Sequence, residues 1–111
     1  MNFQKNRYCI IKKAIPKILA EFCARYLEMK KFNYNILKAE TYISSFNTDH
    51  GFYVDTQVPD TYSIYGDQAM ETLFHYVKPK MEKVTGLKLF ETYAYARLYK
   101  KGDMLERHKD R

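Results

Sequence analysis

Near the end of the chain, in the stretch YKKGDMLERHKDR, His108 and Asp110 stand two residues apart. In an extended segment residues at that spacing point to the same side. An imidazole nitrogen and a carboxylate oxygen would then converge on one point, with Arg107, Lys109 and Arg111 facing away. One histidine and one carboxylate are two of the three ligands of the 2-His-1-carboxylate triad, which holds Fe(II) and leaves positions open for substrate and O2. HxD alone is a short motif with frequent chance matches. The longer pattern Tyr99-x-x-Gly102-x5-His108-x-Asp110, behind a tyrosine-rich run, is more specific.

Other residues with ligand chemistry have weaker credentials. Cys9 and Cys23 lie in apolar surroundings, without a CxxC partner or an adjacent histidine. They read as buried free thiols and not as a zinc site. His50 falls in a turn-rich stretch, and His75 lies off the apolar stripe of a helix, where a surface histidine is expected.

The elements that must position Tyr99, His108 and Asp110 follow from periodicity. RYCIIKK reads as a first strand, about Tyr8–Lys12. Ile15, Ile18, Leu19, Phe22, Cys23, Tyr26 and Leu27 form one stripe, so an amphipathic helix is expected to about Lys31, with Pro16 in its first turn. Residues 32–64 carry turn vocabulary and read as a long loop, in which short strands remain an equal alternative. A second helix is expected from about Tyr65 to Val84, kinked near Pro79 and stopped at Thr85-Gly86. FETYAYARLY then alternates, with Tyr93, Tyr95, Arg97 and Tyr99 on one face, and reads as a strand of about ten residues. KKGD is a tight turn in which Gly102 is free to take positive φ, and MLERHKD is a second extended segment. The fold class is α+β, in a single domain over residues 1–111 without repeats or linkers.

The run YARLYKKGDMLERHKDR resembles the start of the catalytic core of prolyl-4-hydroxylase-like 2-oxoglutarate/Fe(II) oxygenases. The wider stretch from Gln57 to Asp103 is similar to the form found in marine phage genomes. The resemblance implies that an N-terminal strand and two helices precede the first strands of a double-stranded β-helix, or jelly roll. It implies that His108 and Asp110 are iron ligands, that Tyr99 hydrogen-bonds a carboxylate of 2-oxoglutarate, and that Gly102 is the turn glycine. Tyr95 and Arg97 share the face of Tyr99 and are given no role. The implied cofactors are Fe(II), 2-oxoglutarate as co-substrate, and O2. Together they would convert 2-oxoglutarate to succinate and place a hydroxyl on a substrate, either a protein side chain or a small molecule. The family pattern also needs a downstream histidine and a basic residue for the distal carboxylate, and neither follows Arg111. The chain is therefore expected to be an N-terminal fragment, inactive alone, with an incomplete jelly roll.

Composition bounds the alternatives. The chain has 111 residues, 46% hydrophobic and 16% aromatic, which describes a globular domain and not a solvating tail. A net charge of +6 permits an anionic partner. With the tyrosine-rich strand it supports an alternative reading, a small basic nucleic-acid-binding protein, or else a structural or assembly protein. The lysines are dispersed and no nucleic-acid-binding signature is present, so nucleic acid is the weaker expectation. No apolar run approaches membrane-spanning length and the N-terminus is too lysine-rich for a signal peptide. A cytoplasmic protein is expected, in the host cytoplasm if phage-encoded.

Overall fold

The computed structural model describes residues 2–40 and 48–108. Five elements follow in chain order: α1 (Phe3–Asn6), α2 (Lys17–Ala39), β1 (Ser63–Tyr65), α3 (Gln68–Thr85) and β2 (Tyr95–Arg97). The α+β class holds.

The expected first strand is a correction. Tyr8–Lys12 pairs with no strand among the described residues, and the regular structure at this end is the short helix α1. Asn2 caps it by accepting from the Lys5 amide, and Arg7 closes it with φ of 65°. A β-rich run becomes a strand only beside a strand with a free edge. Here the N-terminal segment lies instead against α3, where Gln4 donates to the Thr85 carbonyl and Lys80 to the Ala14 carbonyl (2.8 Å). Cys9 and Cys23 are half-exposed free thiols, not buried ones.

α2 begins at Lys17, with Pro16 as its N-cap and not in its first turn, and runs eight residues past Lys31, to Ala39. Asn33 and Asn35 are poor helix formers. Tertiary packing overrides them: Tyr34 packs on Tyr53 (5.5 Å between centroids) and on Tyr62 (5.8 Å), and the Asn35 amide oxygen accepts from the Tyr53 hydroxyl. α3 matches its expected span closely. Asp67 caps it by accepting from the Ala69 and Met70 amides, and Gly86 ends it at φ of 74°. Pro79 is accommodated inside a continuous helix.

The core sits where turns were expected. Val58, Tyr62 and Ile64 are the buried apolar side chains, joined by buried Thr61, Ser63 and Asp67. β1 is the central strand. It pairs antiparallel with β2, Ile64 opposite Ala96, and on its other side exchanges two 2.9 Å bonds with Phe52. The expected ten-residue strand is shorter than its pattern. The segment before β2 spends backbone donors on α3 instead of a ladder: the Leu89 amide donates to Glu82 and the Ala94 amide to Glu71. MLERHKD forms no ladder among its described residues.

Candidate functional site

The functional candidates lie around the turn that leaves β2. Lys100 and Asp103 close it, with the Asp103 amide donating to the Lys100 carbonyl at 2.9 Å and Gly102 at φ of 92°. The Asp103 carboxylate accepts from the Lys100 amide (2.6 Å) and from the Thr61 hydroxyl (3.0 Å). The turn is thereby tied to the most buried segment of the chain. The Lys100 amide, with help from Thr61 and the Lys100 ammonium, holds the Asp103 carboxyl below the usual range.

Tyr99, one residue before the turn, is half-exposed, and its hydroxyl accepts from Arg97 Nη1 at 3.2 Å. That leaves the phenol's own proton to donate elsewhere. Arg97 is itself held. Its Nη2 donates to Asp55 at 2.6 Å, and its guanidinium stacks over the rings of Tyr95 (5.2 Å) and Tyr99 (5.7 Å). The Tyr95 hydroxyl also donates to Asp55. This bond, with the Gln57 amide and Arg97, outweighs burial and lowers the Asp55 carboxyl. The Arg97 side chain is only 8% exposed, and its Nε is buried without a partner among the described residues. Sequence reading gave Tyr95 and Arg97 no role and did not single out Asp55. Alternation put Arg97 on the face of Tyr99, but nothing in the sequence points to a partner 42 residues away.

His108 is exposed, and its Nδ1 lies 3.0 Å from the Glu106 carbonyl. A carbonyl oxygen can only accept, so in a neutral ring this contact places the proton on Nδ1, the tautomer that suits metal ligation through Nε2. His108 lines a shallow cavity of about 340 Å3 with Gln57, Met104 and Glu106. Gln57 also faces the Arg97 guanidinium, at 3.5 Å. The 55–57 segment therefore touches the Arg97–Tyr99 pair on one side and the His108 cavity on the other. Asp110, the second expected ligand, lies outside the described residues.

For iron, the described residues supply one expected ligand with a suitable tautomer. No group of three or more His, Cys, Asp or Glu placed to hold a metal occurs among them. For 2-oxoglutarate, Tyr99 is half-exposed and its hydroxyl keeps a proton to donate, whereas Arg97 is already paired with the Asp55 carboxylate. His75 sits exposed on α3, 3.5 Å from Glu91, as expected of a surface histidine. His50 offers its carbonyl to the Tyr62 hydroxyl at 2.6 Å. No described helix is long and apolar enough to cross a membrane.

No family model matches the chain, and neither does any curated protein or solved structure.

Proposed function

We propose that the chain carries part of the metal centre of a 2-oxoglutarate- and Fe(II)-dependent hydroxylase, with His108 and Asp110 as ligands and Tyr99 as a contact to the co-substrate. The pattern from Tyr99 to Asp110 motivates the reading. The observation that carries it furthest is the Arg97-to-Tyr99 hydrogen bond, which commits the phenol oxygen as acceptor and frees its proton for a carboxylate. A bound Fe(II) with 2-oxoglutarate would activate O2 for hydroxylation of a substrate C–H bond.

The chain's own residues have narrower tasks. Arg97, fixed by Asp55 and stacked on Tyr99, orients the phenol. The Gly102 turn reverses the chain, so that residues on its two sides can serve one site. Thr56, Gln57 and Pro59 wall the cavity beside His108 and would exclude water from one side of the metal. The jelly roll that normally encloses such a centre belongs to this proposal too, with β1 and β2 as its first paired strands. The substrate is left open between a protein side chain and a small molecule.

The test is metal binding by isothermal titration under anaerobic conditions. Two protein ligands should bind Fe(II), or Mn(II) in its place, weakly but measurably. His108→Ala and Asp110→Ala should each abolish the heat, and His75→Ala should leave it unchanged. Equal binding by all four proteins would overturn the assignment.

A further inference from the structure

Ile18 and Phe22, which the sequence places in the core stripe of α2, instead head an exposed apolar line along the helix that no other described residue covers. Ile18, Phe22, Met29, Phe32 and Ile36 are between 42% and 74% exposed. At 100° per residue they fall within about 40° of one line along the helix, over a length of about 27 Å. The core side of α2 lies elsewhere on the helix, where Tyr26 reaches Asp67 and Tyr34 meets Tyr53 and Tyr62. Scattered exposed apolar residues need no explanation, but five large ones on one line of a 23-residue helix, interrupted only at Arg25, mark an interaction surface.

We infer that this stripe is the contact between two copies of the chain, with their α2 helices antiparallel. The pattern is self-complementary about a two-fold axis level with residue 27. In that register Ile18 faces Ile36 of the second copy and Phe22 faces Phe32, so these apolar side chains meet in pairs. Arg25 is the one charged residue within the stripe, and it falls opposite Met29, one residue from Glu28 of the other copy. The axis generates this Arg25–Glu28 pair twice. Neither residue has an ion-pair partner in its own chain among the described residues. Both line the groove that runs along this face of α2, together with Ala24 and Met29. Burying what is now exposed of the five apolar side chains on both copies removes on the order of 1,000 Å2 from water, the size at which specific interfaces begin. The arrangement is isologous, as most homodimers are. It does not depend on the hydroxylase reading, because no residue of the candidate site lies on α2.

Sedimentation equilibrium of the full chain tests it, with circular dichroism as the check on folding. The wild type should sediment at twice the 13.3 kDa of one chain. Phe22→Glu should give a monomer with unchanged helicity. Arg25→Glu and Glu28→Arg should each weaken the dimer about tenfold or more, and the Arg25→Glu/Glu28→Arg double variant should restore it, because the swap re-forms both pairs. A wild-type monomer at about 100 μM overturns the inference, whether or not the stripe then binds phosphatidylcholine vesicles. Association without rescue in the double variant also overturns it, since that marks unspecific adhesion of apolar surface.

Discussion

Asp67 ties the two long helices together. Its carboxylate caps α3 and accepts from Tyr26 at 2.8 Å, and it meets Lys30 at 3.2 Å, so both α2 contacts and the α3 start depend on one buried side chain. Burial alone would raise its pKa, but the bonds from Tyr26, the Met70 amide and Lys30 outweigh it and hold the carboxyl below the ordinary range. Asp67→Ala removes the cap and leaves the Tyr26 hydroxyl facing an apolar methyl. It should destabilise the fold by about 3 kcal/mol in urea titration, with Asp67→Asn recovering about half. Gly51 is the second residue with no substitute. Its φ is 104°, and a Cβ there would stand 2.3 Å from the Tyr62 ring, which is pinned by its bond to the His50 carbonyl. Gly51→Ala should cost about 3 kcal/mol, from backbone strain and overpacking together, whereas Gly102→Ala, with nothing within 4 Å, should pay only the backbone part. Asp67 was legible in sequence as a residue just ahead of an apolar helical pattern. Gly51 was not, because its constraint comes from a ring eleven residues away.

At the level of elements, legibility followed how local the stabilising contacts are. α3 and the Lys100–Asp103 turn are specified by their own stripes, caps and glycines, and both came through with nearly their expected bounds. β1 was hidden because three residues are too short to alternate visibly, and its partner β2 lies 34 residues on at Ser63 and Arg97. The strand expected at Tyr8–Lys12 failed for the converse reason: its composition suits a sheet, but no edge is offered to it. The candidate site divides in the same way. Tyr99 and His108 are candidates that a motif names, while the Asp55 support beneath Arg97 exists only in three dimensions. That support joins β2 to the 55–57 segment, so its removal should be felt on both sides. Arg97→Met leaves the Asp55 carboxylate buried with only Tyr95 and the Gln57 amide as partners. A loss of about 2–3 kcal/mol is expected. Amide exchange should rise at Leu98, whose N–H bonds the Tyr62 carbonyl, more than at Leu89, whose N–H is held by Glu82. Equal increases at both would mean that Arg97 acts on the whole fold and not on this junction.

The molecule as a whole is open for its length. Its radius of gyration is 16.2 Å, against about 13 Å for a compact chain of this size, and among the described residues only three apolar side chains are buried. A small core leaves stability dependent on the polar hubs, and that dependence sets its pH range. Asp55, Asp67 and Asp103 all have carboxyls lowered in the fold. Their contribution is present above about pH 4, the unfolded value, and is lost as the pH falls through their lower folded values. Burial and the bond to Asp67 push Tyr26 up to about 12. Its contribution is present below about pH 10 and is lost as the pH rises through about 12. Urea midpoints should therefore be flat between about pH 5 and 9 and fall at both ends; a midpoint unchanged from pH 5 to 3 would contradict the role given to these carboxylates. The proposed metal centre is tested most directly by its linkage to the co-substrate. If His108 and Asp110 hold the metal beside Tyr99, 2-oxoglutarate must tighten metal binding, and by the same factor the metal must tighten 2-oxoglutarate. The measurement is Mn(II) affinity by electron paramagnetic resonance, with and without 2-oxoglutarate, in the wild type and in Tyr99→Phe. The account predicts a tightening of about tenfold in the wild type that is mostly lost in the variant. No effect of 2-oxoglutarate on the wild-type affinity would contradict it.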